Sequence, residues 1–195
     1  MEANLLIIDG PSAGGKTTIV NMLLKQTDIS FSIAKRVTTR EKRDSKEDDL
    51  SYDYVDHTTF QNMIINNELI EYHCYLFGMC YALPFANVEK LLLQQQHVIG
   101  IINLGNAKMV KKAYPNSFNI LLTASLDTIR QRLEERQIHT PEQIEERLGN
   151  ANRSFELVRQ YDLVIYNENR SPGSIVQEII DSYKKHNEKV KNYQI

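Results

Sequence analysis

One stretch of this chain carries recognisable chemistry: Gly10-Pro11-Ser12-Ala13-Gly14-Gly15-Lys16-Thr17, followed by Thr18. It fits the phosphate-loop pattern Gly-x-x-x-x-Gly-Lys-Thr. The glycines let backbone N–H groups turn inward on phosphate oxygens, and the helix that follows adds the favourable end of its dipole. Lys16 supplies a mobile positive charge for the β- and γ-phosphates, and the Thr17 hydroxyl is a hard oxygen for Mg²⁺. Asp9, just before the loop, either touches the metal shell or hydrogen-bonds the loop. The ligand implied is a nucleoside triphosphate, with ATP and Mg²⁺ as the expected cofactors.

Such a loop works only between a strand and a helix, and the flanking residues supply both. Residues 5–9 form a short apolar run suited to a buried parallel strand, and Ile19, Val20, Leu23 and Leu24 recur at helical spacing. Further strands are expected near residues 33, 99, 120 and 164, separated mostly by helices. Asp56 and Ser125 are expected helix caps, and Thr140-Pro141-Glu142-Gln143 is the start of a helix with a capping box. Gly78 is placed for a tight turn between two strands at 69–75 and 79–83. The pattern is α/β: a doubly wound five-stranded parallel sheet with a P-loop, an inserted small lobe and a helical lid. The expected division of the single domain 1–195 is a core of residues 1–34, 84–136 and 142–195, a lobe at about 35–83 and a lid at about 137–141.

Composition narrows the function classes. The 195 residues suit one domain, and a formal charge of −2 gives no global basic excess for nucleic acid. No apolar run approaches membrane-spanning length, and the first residues lack a basic region and a long apolar segment. A cytoplasmic protein without a membrane or nucleic-acid partner, monomer or homodimer, is therefore expected. The two cysteines, Cys74 and Cys80, match no common zinc spacing and are read as reduced thiols.

Downstream, other residue groups could hold anions. Arg40 and Arg43 stand beside Lys42, Asp44 and Lys46, where the ordinary reading of a charge run is a solvated loop. Tyr52 and Tyr81 are either strand aromatics or phenol donors. Arg132, Arg136 and Arg147 lie among Glu134, Glu135, Glu145 and Glu146, at spacings that also suit surface ion pairs.

The order of these pieces resembles the guanylate kinase family of nucleoside monophosphate kinases, from Leu5 to about Ile180. The resemblance is carried by the P-loop, by residues 37–43 (VTTREKR), 51–55 (SYDYV), 68–72 (ELIEY) and 77–82 (FGMCYA), by the arginine segments 132–136 and 144–148, and by 161–167 (YDLVIYN). It implies that the inserted small lobe is acceptor-binding, that Arg40, Arg43, Tyr52 and Tyr81 clamp the acceptor's phosphate, and that Glu71 and Asn103 stand at the acceptor base. It implies that Arg136 and Arg147 bring charge to the transferring phosphoryl group, and that Asn167 lies near the adenine of ATP. Arg132 keeps its surface-pairing reading.

The sequence departs from the family at the base-reading positions. Arg36 and Leu83 replace two hydroxyl residues, and Ile101 and Asn103 replace acidic residues at a strand end. Ala82 replaces a glycine. The resemblance therefore implies an enzyme of purine nucleotide metabolism that converts GMP or dGMP to GDP or dGDP, its acceptor a small phosphorylated molecule. The altered reader leaves room for another acceptor such as ribose 1,5-bisphosphate, and a non-catalytic binding module of the same fold is the alternative from another class. Lys16→Ala is expected to abolish phosphotransfer, a drop of at least about a hundredfold, with the circular dichroism spectrum retained. Activity near wild type would refute the role given to Lys16.

Overall fold

The computed structural model describes residues 4–42, 51–103 and 105–192. Strand β1 (Leu5–Asp9) is buried along its whole length and sits at the centre of a five-stranded parallel sheet. Its neighbours are β7 (His97–Ile101) and β8 (Phe118–Thr123), and β2 (Phe31–Ala34) and β9 (Leu163–Tyr166) form the edges. Side chains of a strand alternate faces, so β1 feeds two cores. Leu6 and Ile8 pack with Ile19, Val20 and Leu23 of α1 (Lys16–Leu23) and with Ile175, Val176 and Ile179 of the last helix, Pro172–Asn192. Leu5 and Ile7 pack on the other face with Val88, Val98, Ile102 and Val110. Each of these fully buried side chains is worth roughly 1.5–3 kcal/mol relative to exposure. This two-faced burial is why residues 5–9 read as an unbroken apolar run.

The remaining helices pack on the faces of the sheets or on the P-loop. They are α3 (Phe85–Leu93), α4 (Ala107–Ala113), α5 (Leu126–Glu135), α6 (Pro141–Ser154) and α7 (Pro172–Asn192), α2 (His57–Ile65) lying between strands of a second sheet. Thr140 caps α6 with both halves of a capping box in place, as expected. Ile129 and Leu133 of α5 meet Ile144, Leu148 and Ala151 of α6, and Ala13 of the P-loop joins that cluster. The helical hairpin is thereby packed onto the loop. Among the described residues no helix is long and apolar enough to cross a membrane.

The second sheet has four strands in the order β4-β3-β6-β5: Tyr52–Tyr54, Arg36–Thr38, Cys80–Pro84 and Leu69–Cys74. Ile70 and Leu83 tie it to the main core, while Val37, Cys80 and Ala82 cover Phe60 of α2. Strands β5 and β6 form a hairpin closed by Gly78, whose φ of 91° suits glycine. In the antiparallel register Cys74 lies opposite Cys80, and their sulfurs are bonded. The reading of two reduced thiols is corrected here. A spacing of six residues says nothing about pairing until the hairpin puts the two side chains on one face.

Candidate active site

The P-loop lies at the carboxyl end of β1 and is held by its carbonyls. The Lys16 ammonium donates to the carbonyl oxygens of Gly10 (2.6 Å) and Pro11 (2.9 Å). Arg132 donates to the Ala13 carbonyl (3.2 Å), and the Asn167 amide donates to the Gly14 carbonyl (3.0 Å). Arg132 also grips the Asn167 carbonyl at 2.9 Å, which joins the two tethers. The surface-pairing reading of Arg132 is therefore corrected: its acidic neighbours in sequence lose to two loop carbonyls. The signal lay in its spacing from Arg136, because residues one helical turn apart share a face.

Two glycines are sterically required. A Cβ on Gly10 would lie 2.0 Å from the Leu122 carbonyl oxygen, and one on Gly15 would lie 2.1 Å from the Asn167 amide nitrogen, with φ at 97°. Gly15 is also the N-cap of α1 and provides no side-chain cap. The first amides of α1 are thus available to an anion, which is the arrangement a phosphate needs.

Asp9 is fully buried beneath the loop. One carboxylate oxygen accepts from the Gly10 N–H at 2.6 Å and the other from the Tyr161 hydroxyl at 2.5 Å. Burial pushes its pKa up to about 7, against the Tyr161 hydrogen bond and the Lys16 charge. Lys16 is pulled down to about 8, mainly by burial, with Arg36, Arg136 and Arg147 adding to the effect and Asp9 opposing it. Of the two roles left open for Asp9, the structure places it on the loop. Among the described residues no group of three His, Cys, Asp or Glu could hold a metal by itself. Thr17 is exposed at the mouth of the loop, so the donor set fits Mg²⁺ arriving on triphosphate oxygens with one protein hydroxyl.

A cleft of about 800 Å³ runs from the P-loop to the second sheet. Its lining includes Gly10 to Thr18, Arg36, Arg40, Tyr52, Tyr81, Asn103, Arg136 and Arg147. Arg40 is buried, its guanidinium carbon 5.6 Å from the centre of the Tyr52 ring and 5.7 Å from that of Tyr54. This stacking, with bonds to the Glu41 carbonyl and the Tyr54 hydroxyl, takes Arg40 out of the solvated loop its neighbours suggest. Arg43 lies outside the described residues.

Glu71 and Leu83 are fully buried and do not line the cleft. Burial pushes the Glu71 carboxyl up, opposed by Arg36 and Asn106. Arg36 donates to one of its oxygens at 3.3 Å and Asn106 to the other at 2.7 Å. Asn167 braces the loop through its amide and is not among the residues that line the cleft.

Helix α6 reaches across the cleft. Arg147 donates to the Ser12 hydroxyl at 3.0 Å, and its guanidinium carbon lies 4.9 Å from the Tyr75 ring and 5.3 Å from the Phe77 ring. Next to it, Glu146 accepts from the Leu76 backbone N–H at 3.0 Å. The tip of the β5–β6 hairpin therefore touches α6, and Arg147 joins P-loop, α6 and hairpin at one point. Tyr75 and Phe77 went unnoticed in the sequence, because nothing local marks two hairpin aromatics as arginine partners. Arg136 sits at the C-cap of α5, exposed on the cleft wall.

Comparison with known proteins agrees with this geometry. A family model described as guanylate kinase matches residues 2–183. The chain is 30% identical to a guanylate kinase of Clostridioides difficile over 190 residues, covering 96% of this chain and 92% of that protein. It is 32% identical to one of Alkalilimnicola ehrlichii over 169 residues, covering 86% and 82%. In fold it is similar to the crystal structure of guanylate kinase from Anaplasma phagocytophilum, with a TM-score of 0.72, 22% identity and coverage of 95% of this chain and 87% of that one.

The raised pKa of Asp9 has a consequence for stability. The folded protein favours the protonated carboxyl, so this contribution is complete below the unfolded value near 3.8 and is lost as pH rises through about 7. Urea unfolding between pH 4 and 7.5 is expected to show wild type losing stability relative to Asp9→Asn as pH rises. Parallel profiles for the two proteins would contradict the assignment.

Proposed function

The chain belongs to the guanylate kinase family and is a phosphotransferase, and from that we propose that it moves the γ-phosphoryl group of ATP onto the phosphate of GMP. The observation that carries this reading is the shared cleft. Triphosphate-binding amides, Arg40 with its tyrosines, and two lid-side arginines all line the same space.

In this reading Lys16 leaves the Gly10 and Pro11 carbonyls and takes the β- and γ-phosphate oxygens. The amides of residues 15–18 hold the same phosphates from below. Arg40, Arg43, Tyr52 and Tyr81 fix the acceptor phosphate, so that one of its oxygens faces the γ-phosphorus in line with the departing ADP oxygen. A new P–O bond to the acceptor forms as the bond to ADP breaks, and no proton transfer by a side chain is needed when the acceptor phosphate is dianionic. The transition state spreads charge over the equatorial oxygens, and Arg136 and Arg147 lie where they can meet it. Mg²⁺, held by the phosphates and Thr17, would neutralise part of that charge. Asn167 keeps the loop in shape and so supports ATP binding from behind.

Positioning supplies most of the acceleration in such a transfer. Water must be kept out, because a hydroxyl ion or water in the acceptor's place would hydrolyse ATP. The contact between Leu76, Glu146 and Arg147 gives a route for this: filling the acceptor side draws the hairpin, and the hairpin carries the lid.

The test is a coupled assay of ADP formation with ATP and Mg²⁺. GMP is the acceptor, with ribose 1,5-bisphosphate and no acceptor as the comparisons. Turnover is expected with GMP and near background without it. Arg40→Ala is expected to raise the acceptor KM about tenfold to a hundredfold, the worth of a charge-assisted hydrogen bond, with the KM for ATP little changed. Turnover with the sugar phosphate alone would replace the acceptor, and none with any acceptor would sink the enzyme reading.

A further inference from the structure

The base end of the acceptor cleft is built from donors rather than from a carboxylate. Arg36 lines the cleft and is only 4% exposed. It stands in front of Glu71, which is buried behind it and commits its oxygens to Arg36 and to Asn106. The backbone N–H of Asn103 also points at the Glu71 carboxylate. With three donors on it, this carboxylate has little acceptor capacity left for a ligand. By contrast, two buried donors of cleft-lining residues have no partner among the described residues: the Nε of Arg36 and the side-chain nitrogen of Asn103. Buried polar atoms in folded proteins are otherwise almost always paired. The guanidinium is also fixed in place, 5.5 Å from the centre of the Tyr81 ring.

Resting on the reading of this cleft as the acceptor site, we propose that Arg36 is its base-reading residue and that the site takes 6-oxopurine monophosphates without demanding a 2-amino group. A 6-oxopurine presents O6 and N7 as adjacent acceptors, which suit an arginine's parallel N–H groups. A 6-aminopurine offers a donor where O6 would be, and two donors then face each other. The 2-amino group of guanine needs an acceptor. Glu71 is committed, the Ile101 side chain that lines the cleft cannot accept, and the buried, unpartnered atom of Asn103 is its donor nitrogen. A 2-amino group that meets no free carboxylate contributes little discrimination. Guanine and hypoxanthine nucleotides are therefore treated alike, while adenine nucleotides are rejected as acceptors.

The experiment compares GMP, IMP and AMP as acceptors by kcat/KM, and measures their binding by calorimetry. For wild type, IMP is expected within about tenfold of GMP, with AMP about a hundredfold or more below both. The variant pair Arg36→Met with Glu71→Gln removes the donor without leaving a buried charge. It is expected to lower GMP and IMP together and to bring AMP closer to them. Arg36→Lys keeps the charge opposite Glu71 and loses the fork, and is expected to act in the same direction. IMP a hundredfold below GMP would show that the 2-amino group is read and would overturn the proposal. An unchanged ratio of GMP to AMP in both variants would also overturn it. Equal binding of GMP and IMP with weak AMP binding but no turnover would uphold the base reading and refute the transfer. No binding of any of the three would refute both.

Discussion

Four carbonyl oxygens of the P-loop are pinned by side chains, and the rest of the site depends on that. Lys16 holds two of them, Arg132 a third and Asn167 a fourth. Once a loop's carbonyls are tied back, its amides are left to face the cleft, and a row of amides is what a polyphosphate binds. When Lys16 moves, two of these tethers stay in place, and Arg132 and Asn167 then carry the loop between them, which is why their mutual bond matters. Their own positions come from α5 and the end of β9, both packed on the central sheet. The apolar pattern of β1, α5 and α7 thus becomes a phosphate site through two side chains.

Around that loop the structure gathers positive charge. Lys16, Arg36, Arg40, Arg136 and Arg147 share one cleft, while the two buried carboxylates, Asp9 and Glu71, are each engaged by protein donors. The arginines already weigh on Lys16, whose pKa is drawn down to about 8. Such a cluster suits polyanionic ligands, and low-dielectric walls strengthen each contact. The Arg147 contacts then link the two halves. Ser12 belongs to the P-loop and Tyr75 and Phe77 to the β5–β6 hairpin, so the guanidinium is placed by both.

Much of this was legible in the sequence wherever a signal is local. The strand, glycine turn and helix at residues 5–23, the capping box at Thr140 and the five parallel strands all rest on short-range periodicity and turn chemistry. What stayed hidden depends on pairing across the fold. Arg36 and Glu71 are 35 residues apart, and Arg132 and Ala13 are 119 apart. Sequence neighbours gave the wrong partner for Arg132 and no partner for Arg36. Cys74 and Cys80 were hidden for the opposite reason: they are close, but only the hairpin register makes them face each other.

The claim that tethered carbonyls make the triphosphate site is tested most directly by ATP affinity in a variant carrying Arg132→Ala and Asn167→Ala. Neither side chain needs to touch the nucleotide for the account to hold. Calorimetric titration is predicted to show a Kd for ATP raised at least about tenfold, the worth of one or two lost hydrogen bonds to the loop, in a protein with an unchanged circular dichroism spectrum. A Kd within about twofold of wild type would contradict the account.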